Sequence, residues 1–185
     1  MDRIDQAFRQ VDRQNFIPSQ LKHLAFIDSP LPIGYGQTIS QPTTVRLMLE
    51  WLAVQPDDKV LDIGSGSGWS SALLSQLTGS KGQVFAVDRI PELVKFGQTN
   101  CRRAGLNNIK FYQAGEHYGL IKYAPYERIL VSAAASQLPG LLIDQLTIGG
   151  KLVIPVRRDI LEVTKIKNNK INCITHVGFV FVPLI

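Results

Sequence analysis

The fold is decided by the stretch Leu61-Asp62-Ile63-Gly64-Ser65-Gly66-Ser67-Gly68. Its apolar beginning predicts a buried strand, and its glycines predict a tight turn into a helix. A second apolar run, 83–87, ends at Asp88, twenty residues after Gly68. A strand, a glycine-rich turn, a helix and an acidic residue at this distance are typical of a βαβ unit that binds a nucleotide-type cofactor. The glycines allow close approach of the backbone, and the carboxylate accepts hydrogen bonds from ribose hydroxyls.

The glycine spacing narrows the choice of cofactor. Gly64-x-Gly66-x-Gly68 is the form usual in enzymes that use S-adenosyl-L-methionine, whereas dinucleotide sites have G-x-G-x-x-G. We therefore expect S-adenosyl-L-methionine as the cofactor. Two alternatives stay open at this point: the glycines form a tight turn without a ligand, or Asp88 only caps the helix that begins near Pro91.

Strands and helices alternate from residue 59 to residue 156, and a β-rich portion follows. The predicted strands are 59–63, 83–88, 109–113, 128–133, 151–156, 160–167, 171–176 and 179–184, and the predicted helices are 69–77, 91–104 and 139–146. A hairpin turn is predicted at Lys167-Asn168-Asn169-Lys170. The pattern predicts an α/β fold, a Rossmann-like, doubly wound and mostly parallel sheet with an antiparallel C-terminal edge.

The N-terminal part is predicted to build one wall of a site. Apolar residues at 4, 7, 8 and 11 indicate a short amphipathic helix. The segment 28–41 contains prolines and glycines at closely spaced positions, and we expect an irregular loop that forms a lid or site wall. It ends at Ser40-Gln41-Pro42, a helix start with proline in the first turn.

Length and composition fit one domain that carries no membrane segment. The chain has 185 residues, of which 45% are hydrophobic and 19% charged. We expect an N-terminal helix and active-site loop at 1–41, a cofactor-binding βα core at 42–156 and C-terminal strands at 157–185. Residues 1–5 do not read as a signal peptide, and the two cysteines have neither disulfide nor zinc spacing. We therefore expect a cytoplasmic protein without a metal site.

The charge of the chain admits acidic partners without requiring them. The net charge is +5, which is compatible with nucleic acid as a partner. However, the chain contains no run of five or six basic residues, so nucleic acid is an unlikely partner.

Several motifs give the chain a resemblance to a known family. They are Phe16-Ile17-Pro18, the stretches 26–34 and 36–42, the glycine turn at 61–68, the stretches 124–135 and 145–155, and the ending Phe181-Val182-Pro183-Leu184. Over nearly its whole length the chain resembles protein-L-isoaspartate O-methyltransferases. Three positions depart from that family's usual pattern. The chain has Gly115-Glu116-His117 for Gly-Asp-Gly, Asp88 for Glu, and Glu127 for Asp.

The resemblance implies methyl transfer from S-adenosyl-L-methionine to the free carboxylate of L-isoaspartyl residues in damaged proteins. It implies Ser40 as the catalytic residue and isoaspartyl-containing proteins or peptides as the substrate. The cofactor-binding residues that it implies are Gln37, Thr38, Ile39, Gly64, Ser65, Gly66, Ser67, Gly68, Asp88, Arg89, Glu116 and His117. The substrate-binding residues that it implies are Ile33, Val182, Pro183 and Leu184.

The implied chemistry needs alignment more than acid–base catalysis. A carboxylate with a pKa near ~4 is already ionised at neutral pH, so the nucleophile needs no general base. Attack on a sulfonium methyl neutralises opposite charges, and desolvation and alignment then carry most of the rate. Ser40 can aim the carboxylate as a hydroxyl donor. Its alternative role is to cap the following helix.

Two rival functions are considered. A nucleic-acid methyltransferase would hold a base amine after the fourth strand, where this chain has Val131-Ser132-Ala133-Ala134-Ala135, without an amide or carboxylate. A degenerate cofactor-binding or interaction protein is favoured only by Gly115-Glu116-His117 and the short C-terminal part. Binding of S-adenosylhomocysteine and a methyl-transfer assay distinguish these possibilities.

Overall fold

The fold consists of a central sheet and a small separate hairpin. A computed structural model describes residues 2–168 and 170–184 of the chain. In chain order the strands are β1 Leu31–Gly34, β2 Gln37–Ile39, β3 Lys59–Ile63, β4 Gln83–Asp88, β5 Ile109–Gln113, β6 Tyr126–Val131, β7 Leu146–Val156, β8 Asp159–Lys167 and β9 Lys170–Val177. The α-helices are α1 Arg3–Gln10, α2 Pro42–Leu52, α3 Trp69–Thr78, α4 Pro91–Arg103 and α5 Gly140–Asp144. Short 3-10 helices occupy Arg13–Phe16, Ser19–Leu24 and Ile121–Tyr123.

The central sheet has the strand order β5-β4-β3-β6-β7-β8-β9. Strand β3 is parallel to both of its neighbours, β4 and β6, while β8 and β9 are antiparallel to the strands beside them. This confirms the predicted mostly parallel sheet with an antiparallel C-terminal edge. The chain runs outward from β3 in one direction to β5 and then resumes on the other side at β6. Ligands of open α/β sheets bind at such a switch point, outside the carboxyl ends of the strands.

The sheet has a hydrophobic layer on each face. Val60 of β3 packs with leucines and other apolar residues of α1, α2, α3 and α4, whereas Leu61 and Ile63 face the layer around Tyr126 and α5. Successive side chains of β3 therefore pack into opposite layers, as expected for a strand covered on its two faces. The carboxyl end of β3 is held firmly between these layers.

The central elements lie where the sequence pattern predicts them. The bounds of β3, β4 and β5 agree with the prediction, and α3 and α4 differ from it by one residue at their C-terminal ends. The predicted helix 139–146 is wrong at its ends, because α5 covers only Gly140–Asp144 and Leu146 already belongs to β7. Leu146 is buried and pairs with Tyr126 across the ladder, so it joins the sheet.

The segment 28–41 is not the irregular loop that the sequence predicts. Strands β1 and β2 pair antiparallel within it, with Leu31 opposite Ile39. Leu31 and Ile33 are buried whereas Pro32 is exposed, so the segment alternates as a half-buried strand does. The glycine-rich part, 34–36, supplies the positive φ angles of the turn. Proline and glycine thus occupy an exposed edge and a turn, where strands tolerate them.

The predicted strand 179–184 is also wrong. In its place the structure has a segment in which Phe179 donates its N–H to the carbonyl of Arg158 and Pro183 forms an isolated parallel bridge with Ala134. Ala134 donates its N–H to the carbonyl of Val182 and accepts the N–H of Leu184, both at 2.8 Å. Because Ala134 lies in the loop beyond the end of β6, the segment crosses the carboxyl edge of the sheet and adds no strand to it.

The predicted hairpin joins β8 and β9, where Lys167 pairs with Lys170. Asn169 of that predicted turn lies outside the described residues. Across residues 2–168 and 170–184, no helix combines the length and apolar character needed to span a bilayer. The same residues contain no group of three or more side chains suited to hold a metal ion.

Candidate active site

Two adjoining cavities open at the carboxyl end of β3. The first is lined by these residues of the sequence-based prediction: Ile33, Gln37, Thr38, Ile39, Ser40, Gly64, Ser65, Gly66, Ser67, Asp88 and Val182. The second is lined by Gln37, Gly64, Asp88, Arg89, Glu116, His117, Pro183 and Leu184 from that same set. The cavities share Gln37, Gly64, Asp88 and Ala133, so they form one continuous groove. Of the predicted site residues, Gly68 alone lines neither cavity.

Asp88 stands between the two cavities and is bonded to the glycine turn. One carboxylate oxygen accepts the N–H of Gly66 at 2.8 Å, and the other accepts the N–H of Ile90 at 2.9 Å. Each oxygen keeps further acceptor capacity, because an ionised carboxylate offers about four lone-pair sites. Asp88 therefore serves the backbone near the start of α4 and can also accept bonds from a ligand. The N-cap of α4 is Ile90, so the capping alternative does not describe Asp88 fully.

The β1–β2 hairpin packs directly against the glycine turn. Gly64 and Gly66 have φ angles of 74° and 51°, which favour glycine. A Cβ atom on Gly66 would lie 3.1 Å from the Cδ1 atom of Ile33. Strand β1 of the hairpin thus packs against the turn and forms one wall of the first cavity.

The wall of the first cavity continues from β2 to Ser40. Helix α2 begins at Pro42 with Gln41 as its N-cap. The N–H of Thr43 in its first turn donates to a carboxylate oxygen of Asp28 at 2.9 Å. The alternative in which Ser40 caps this helix is therefore wrong. The side chain of Asp28 performs that role, and its pKa is held low chiefly by the N–H of Thr43.

The second cavity has the composition of a site for a flat ring. Apolar side chains line it, among them Ile63, Val87, Ile90 and Ala114, and Glu116 and His117 stand at its exposed side. The loop that carries Glu116 and His117 is fastened by the buried side chain of Gln145. Its oxygen accepts the N–H of Leu120 at 2.9 Å, and its nitrogen donates to the carbonyl of Tyr118 at 3.0 Å.

Asp62, which the sequence-based site prediction omitted, is a fully buried carboxyl beside the turn. The hydroxyls of Ser70 and Ser71 donate to its Oδ2 at 2.7 and 2.6 Å. Within the described residues its Oδ1 and the hydroxyl of Ser65 are buried without a hydrogen-bond partner. Burial raises the pKa of Asp62 to about 6, the serine hydroxyls lower it, and the negative charge of Asp88 raises it further.

These features fit S-adenosyl-L-methionine. The first cavity is lined by the glycine turn and by Ser65, whose hydroxyl has no hydrogen-bond partner within the described residues, and it suits a polar end. The second offers apolar contacts to a base, and Asp88 lies where the two ends of an elongated molecule would join. Gly64 and Gly66 add no side chain to this part of the groove.

Comparison with known sequences decides the family. The sequence profile described as protein-L-isoaspartate(D-aspartate) O-methyltransferase matches residues 1–185. The chain belongs to this protein-L-isoaspartate O-methyltransferase family. A member from Fervidobacterium nodosum is 42% identical over 183 residues, which cover 96% of this chain and 92% of that protein. One from Pyrococcus horikoshii is 40% identical and is matched over 100% of this chain and 85% of its own length.

Solved structures of protein-L-isoaspartate O-methyltransferases share the whole fold. One of them has a TM-score of 0.89 and 26% sequence identity, and the match covers 100% of this chain and 61% of that one. A Plasmodium falciparum structure, described as a putative member in complex with S-adenosyl-L-homocysteine, has a TM-score of 0.88 and 28% identity. That match covers 100% of this chain and 90% of the other.

Gly68 has a packing role in this member of the family. Its φ angle is 86°, and a Cβ atom there would lie 3.0 Å from the Cα atom of Gly97 and from the Sγ atom of Cys101. Gly68 is the N-cap of α3, and both neighbours belong to α4. The predicted contact of Gly68 with the cofactor is therefore not supported. The glycine allows α3 to approach α4 closely.

We expect Gly68→Ala to reduce the free energy of unfolding by about 2–5 kcal/mol, from left-handed strain plus overpacking. Gly105→Ala is the matched control, because Gly105 also has a positive φ of 73° but nothing within 4 Å of the added Cβ. It should lose only about 1–2 kcal/mol. Urea unfolding of both variants measures the difference, and equal losses would contradict the packing role.

Asp62 gives the fold a pH dependence of known sign. Burial raises its folded-state pKa from 3.8 to about 6, so the contribution of Asp62 to the free energy of unfolding is most favourable at low pH and falls as the pH rises through this window. We expect the stability of the wild type relative to Asp62→Asn to fall by about 3 kcal/mol between pH 3.5 and pH 7. Urea unfolding of the unliganded proteins across this range measures it. A constant difference would show that Asp62 ionises normally.

Proposed function

We propose that the protein transfers a methyl group from S-adenosyl-L-methionine to the free carboxylate of L-isoaspartyl residues in damaged proteins. The observation that carries this proposal is the position of Ser40. In a chain that matches the methyltransferase family from end to end, Ser40 lines the same cavity as the glycine turn and Asp88. A substrate carboxylate bound at Ser40 would therefore meet the part of the groove in which the methyl donor would lie.

The groove would hold the cofactor through three groups of residues. Gly64 to Ser67, with Gln37 to Ile39 above them, would bind its amino-acid portion, and Asp88 would accept bonds from the ribose hydroxyls. Arg89, Glu116 and His117 would surround the base. When bound, the cofactor supplies an electrophilic methyl group, which the substrate carboxylate oxygen takes as the carbon–sulfur bond breaks.

Alignment and exclusion of water are the tasks of the protein. The substrate carboxylate is ionised at neutral pH, so no residue needs to remove a proton. The hydroxyl of Ser40 would donate a hydrogen bond to one carboxylate oxygen and direct the other toward the methyl group. Ile33 and Ala133 are almost fully buried and give this end of the groove an apolar lining. Such a lining removes water from the reacting carboxylate.

The peptide on either side of the reacting residue would lie along the C-terminal segment. Val182 lines the first cavity, and Pro183 and Leu184 line the second. The two backbone bonds to Ala134 hold this segment in place. We propose that residues 182–184, with Ile33 opposite, form the substrate-binding wall.

The proposed function extends to the domain organisation, the acceptor and the cellular location of the protein. Residues 1–185 would act as one catalytic domain with a substrate wall, a cofactor core and C-terminal strands. The proposed acceptor is protein and not nucleic acid, since Ser132 to Ala135 offer no amide or carboxylate side chain for a base amine. Cys101 and Cys173 are free thiols, which suits the reducing cytoplasm.

A methyl-transfer assay tests the proposal. Tritiated S-adenosyl-L-methionine is supplied with an isoaspartyl peptide, the same peptide with a normal aspartate, or RNA. We expect label in a base-labile ester of the isoaspartyl peptide alone. Label in RNA would support the rival enzyme. Binding of S-adenosylhomocysteine in a calorimeter, without transfer to any acceptor, would support the degenerate cofactor-binding protein.

A further inference from the structure

Arg13 is a buried arginine behind residues 26–41, the wall of the first cavity that carries Ser40. Only 6% of the residue is exposed. Its guanidinium group donates hydrogen bonds to four backbone carbonyls. Nη1 bonds to the oxygens of Ala25 and Ile27 at 3.0 and 3.2 Å, and Nη2 bonds to those of Ser29 and Ser40 at 2.8 and 3.1 Å.

These four carbonyls join the two ends of the wall. The oxygens of Ala25, Ile27 and Ser29 precede the β1–β2 hairpin, and the oxygen of Ser40 follows it. One planar side chain therefore links the backbone that precedes the hairpin to the backbone that follows it. A guanidinium presents five N–H donors in a fixed plane, and this geometry matches several oxygens that converge from different directions. A lysine ammonium at the same place cannot reach all four.

The same guanidinium also contacts the cofactor side of the groove. Its central carbon lies 5.3 Å from the centroid of the Trp69 ring. Trp69 is the first residue of α3, directly after the glycine turn, and it lines the first cavity. Arg13 thus connects the backbone of Ser40 with the element that begins at the turn.

Asp28 fastens the wall from its outer side. Its carboxylate accepts hydrogen bonds from the side chains of Thr43 and Gln41 at 2.7 and 3.0 Å, in addition to the N–H of Thr43. Ser40 therefore lies between a guanidinium that holds its own carbonyl and a carboxylate that holds the next residues. Neither group lines the cavities, so neither touches the reacting atoms.

We propose that Arg13 is a positioning residue, which sets the distance between the Ser40 hydroxyl and the cofactor turn. This inference rests on the proposed function. The hydroxyl and the bonded carbonyl belong to one residue, so a shift of the carbonyl displaces the hydroxyl by a similar distance. A displacement of about 1 Å at a reacting centre can cost about 100-fold in rate.

The test compares Arg13→Lys with Arg3→Lys. Arg3 also donates to two backbone carbonyls, those of Val54 and Leu77, but beside the amino end of β3, away from the groove. We expect Arg13→Lys to lower kcat/KM for an isoaspartyl peptide about 10- to 100-fold, with the Kd for S-adenosylhomocysteine within about threefold. Arg3→Lys should leave kcat/KM within about twofold at a temperature well below its Tm.

A double variant distinguishes positioning from a general loss of structure. In the Ser40→Ala background, Arg13→Lys should lower kcat/KM by only about twofold, because the group that it positions is already missing. Retention of the full loss in that background would overturn the proposal. So would a loss in the single variant no greater than that of Arg3→Lys.

Hydrogen–deuterium exchange supplies a readout that needs no activity. Arg13→Lys should speed exchange at the amides of residues 26–41, and Arg3→Lys should not; equal exchange in the two variants would overturn the proposal. If circular dichroism shows Arg13→Lys to be unfolded, Arg13→Gln, which keeps an amide donor at this position, takes its place with the same expected losses. A wild type without methyl transfer would contradict the proposed function, whereas the exchange data would still test the hold of Arg13 on the wall.

Discussion

Ser40→Ala should lower kcat for the isoaspartyl peptide by about 10- to 1000-fold, the scale seen when one positioned donor is lost. The Kd for S-adenosylhomocysteine should change far less, because the glycine turn and Asp88 keep their contacts. Stability should change little as well, since Asp28 and not Ser40 bonds to the first turn of α2. Steady-state kinetics, titration calorimetry and a melting curve on the same preparation measure all three quantities.

Ser40→Thr is the matched control for the hydroxyl. It retains the donor and should recover a large part of the lost kcat, whereas a wall that only needs a small side chain would tolerate alanine better than threonine. A folded Ser40→Ala enzyme with a normal kcat would contradict the catalytic role of Ser40.

Asp88→Ala should weaken the binding of S-adenosylhomocysteine by roughly 1.5–3 kcal/mol, or about 10- to 150-fold in Kd. The variant loses the proposed acceptor for the ribose hydroxyls and also the bond to the N–H of Gly66, which holds the turn. At saturating cofactor, kcat should fall less than in Ser40→Ala. Titration calorimetry measures the affinity directly.

Asp88→Glu is the informative control here. The resemblance to the family makes glutamate the usual residue at this position, so the longer carboxylate should keep the Kd within about fivefold. If Asp88→Ala binds as tightly as the wild type, the ribose cannot lie at this carboxylate. If alanine and glutamate weaken binding equally, the geometry of the turn and not the charge decides the affinity.

The central part of the fold was predictable because its signals are local. Each of β3, β4 and β5 is a short apolar run between turn residues, and such runs have few alternatives once helices separate them. Two of the three wrong predictions concern segments whose structure depends on distant partners. The hairpin at 31–39 forms where its alternate residues are buried against the glycine turn. The segment 179–184 forms no strand because its backbone hydrogen bonds go to separate positions, the carbonyl of Arg158 and the backbone of Ala134.

The site was predictable to a similar degree and for a similar reason. The glycine turn and Asp88 belong to one βαβ unit, and the geometry of that unit brings them into contact at 2.8 Å. Arg13 and Gln145 carry no such local pattern. Their burial is explained by carbonyls and amides up to 27 residues away, which converge only in the folded chain. Asp62 lay within the recognised motif, but its serine partners come from the following helix and could not be read from spacing alone.

Arg13 and Gln145 fasten opposite walls of the groove through separate sets of backbone groups. Mutations that reshape the β1–β2 hairpin therefore leave the bonds of Gln145 to the loop that carries Glu116 and His117 intact, and the reverse also holds. With the proposed roles of these two walls, the preference among protein substrates can change while the binding of the methyl donor is retained.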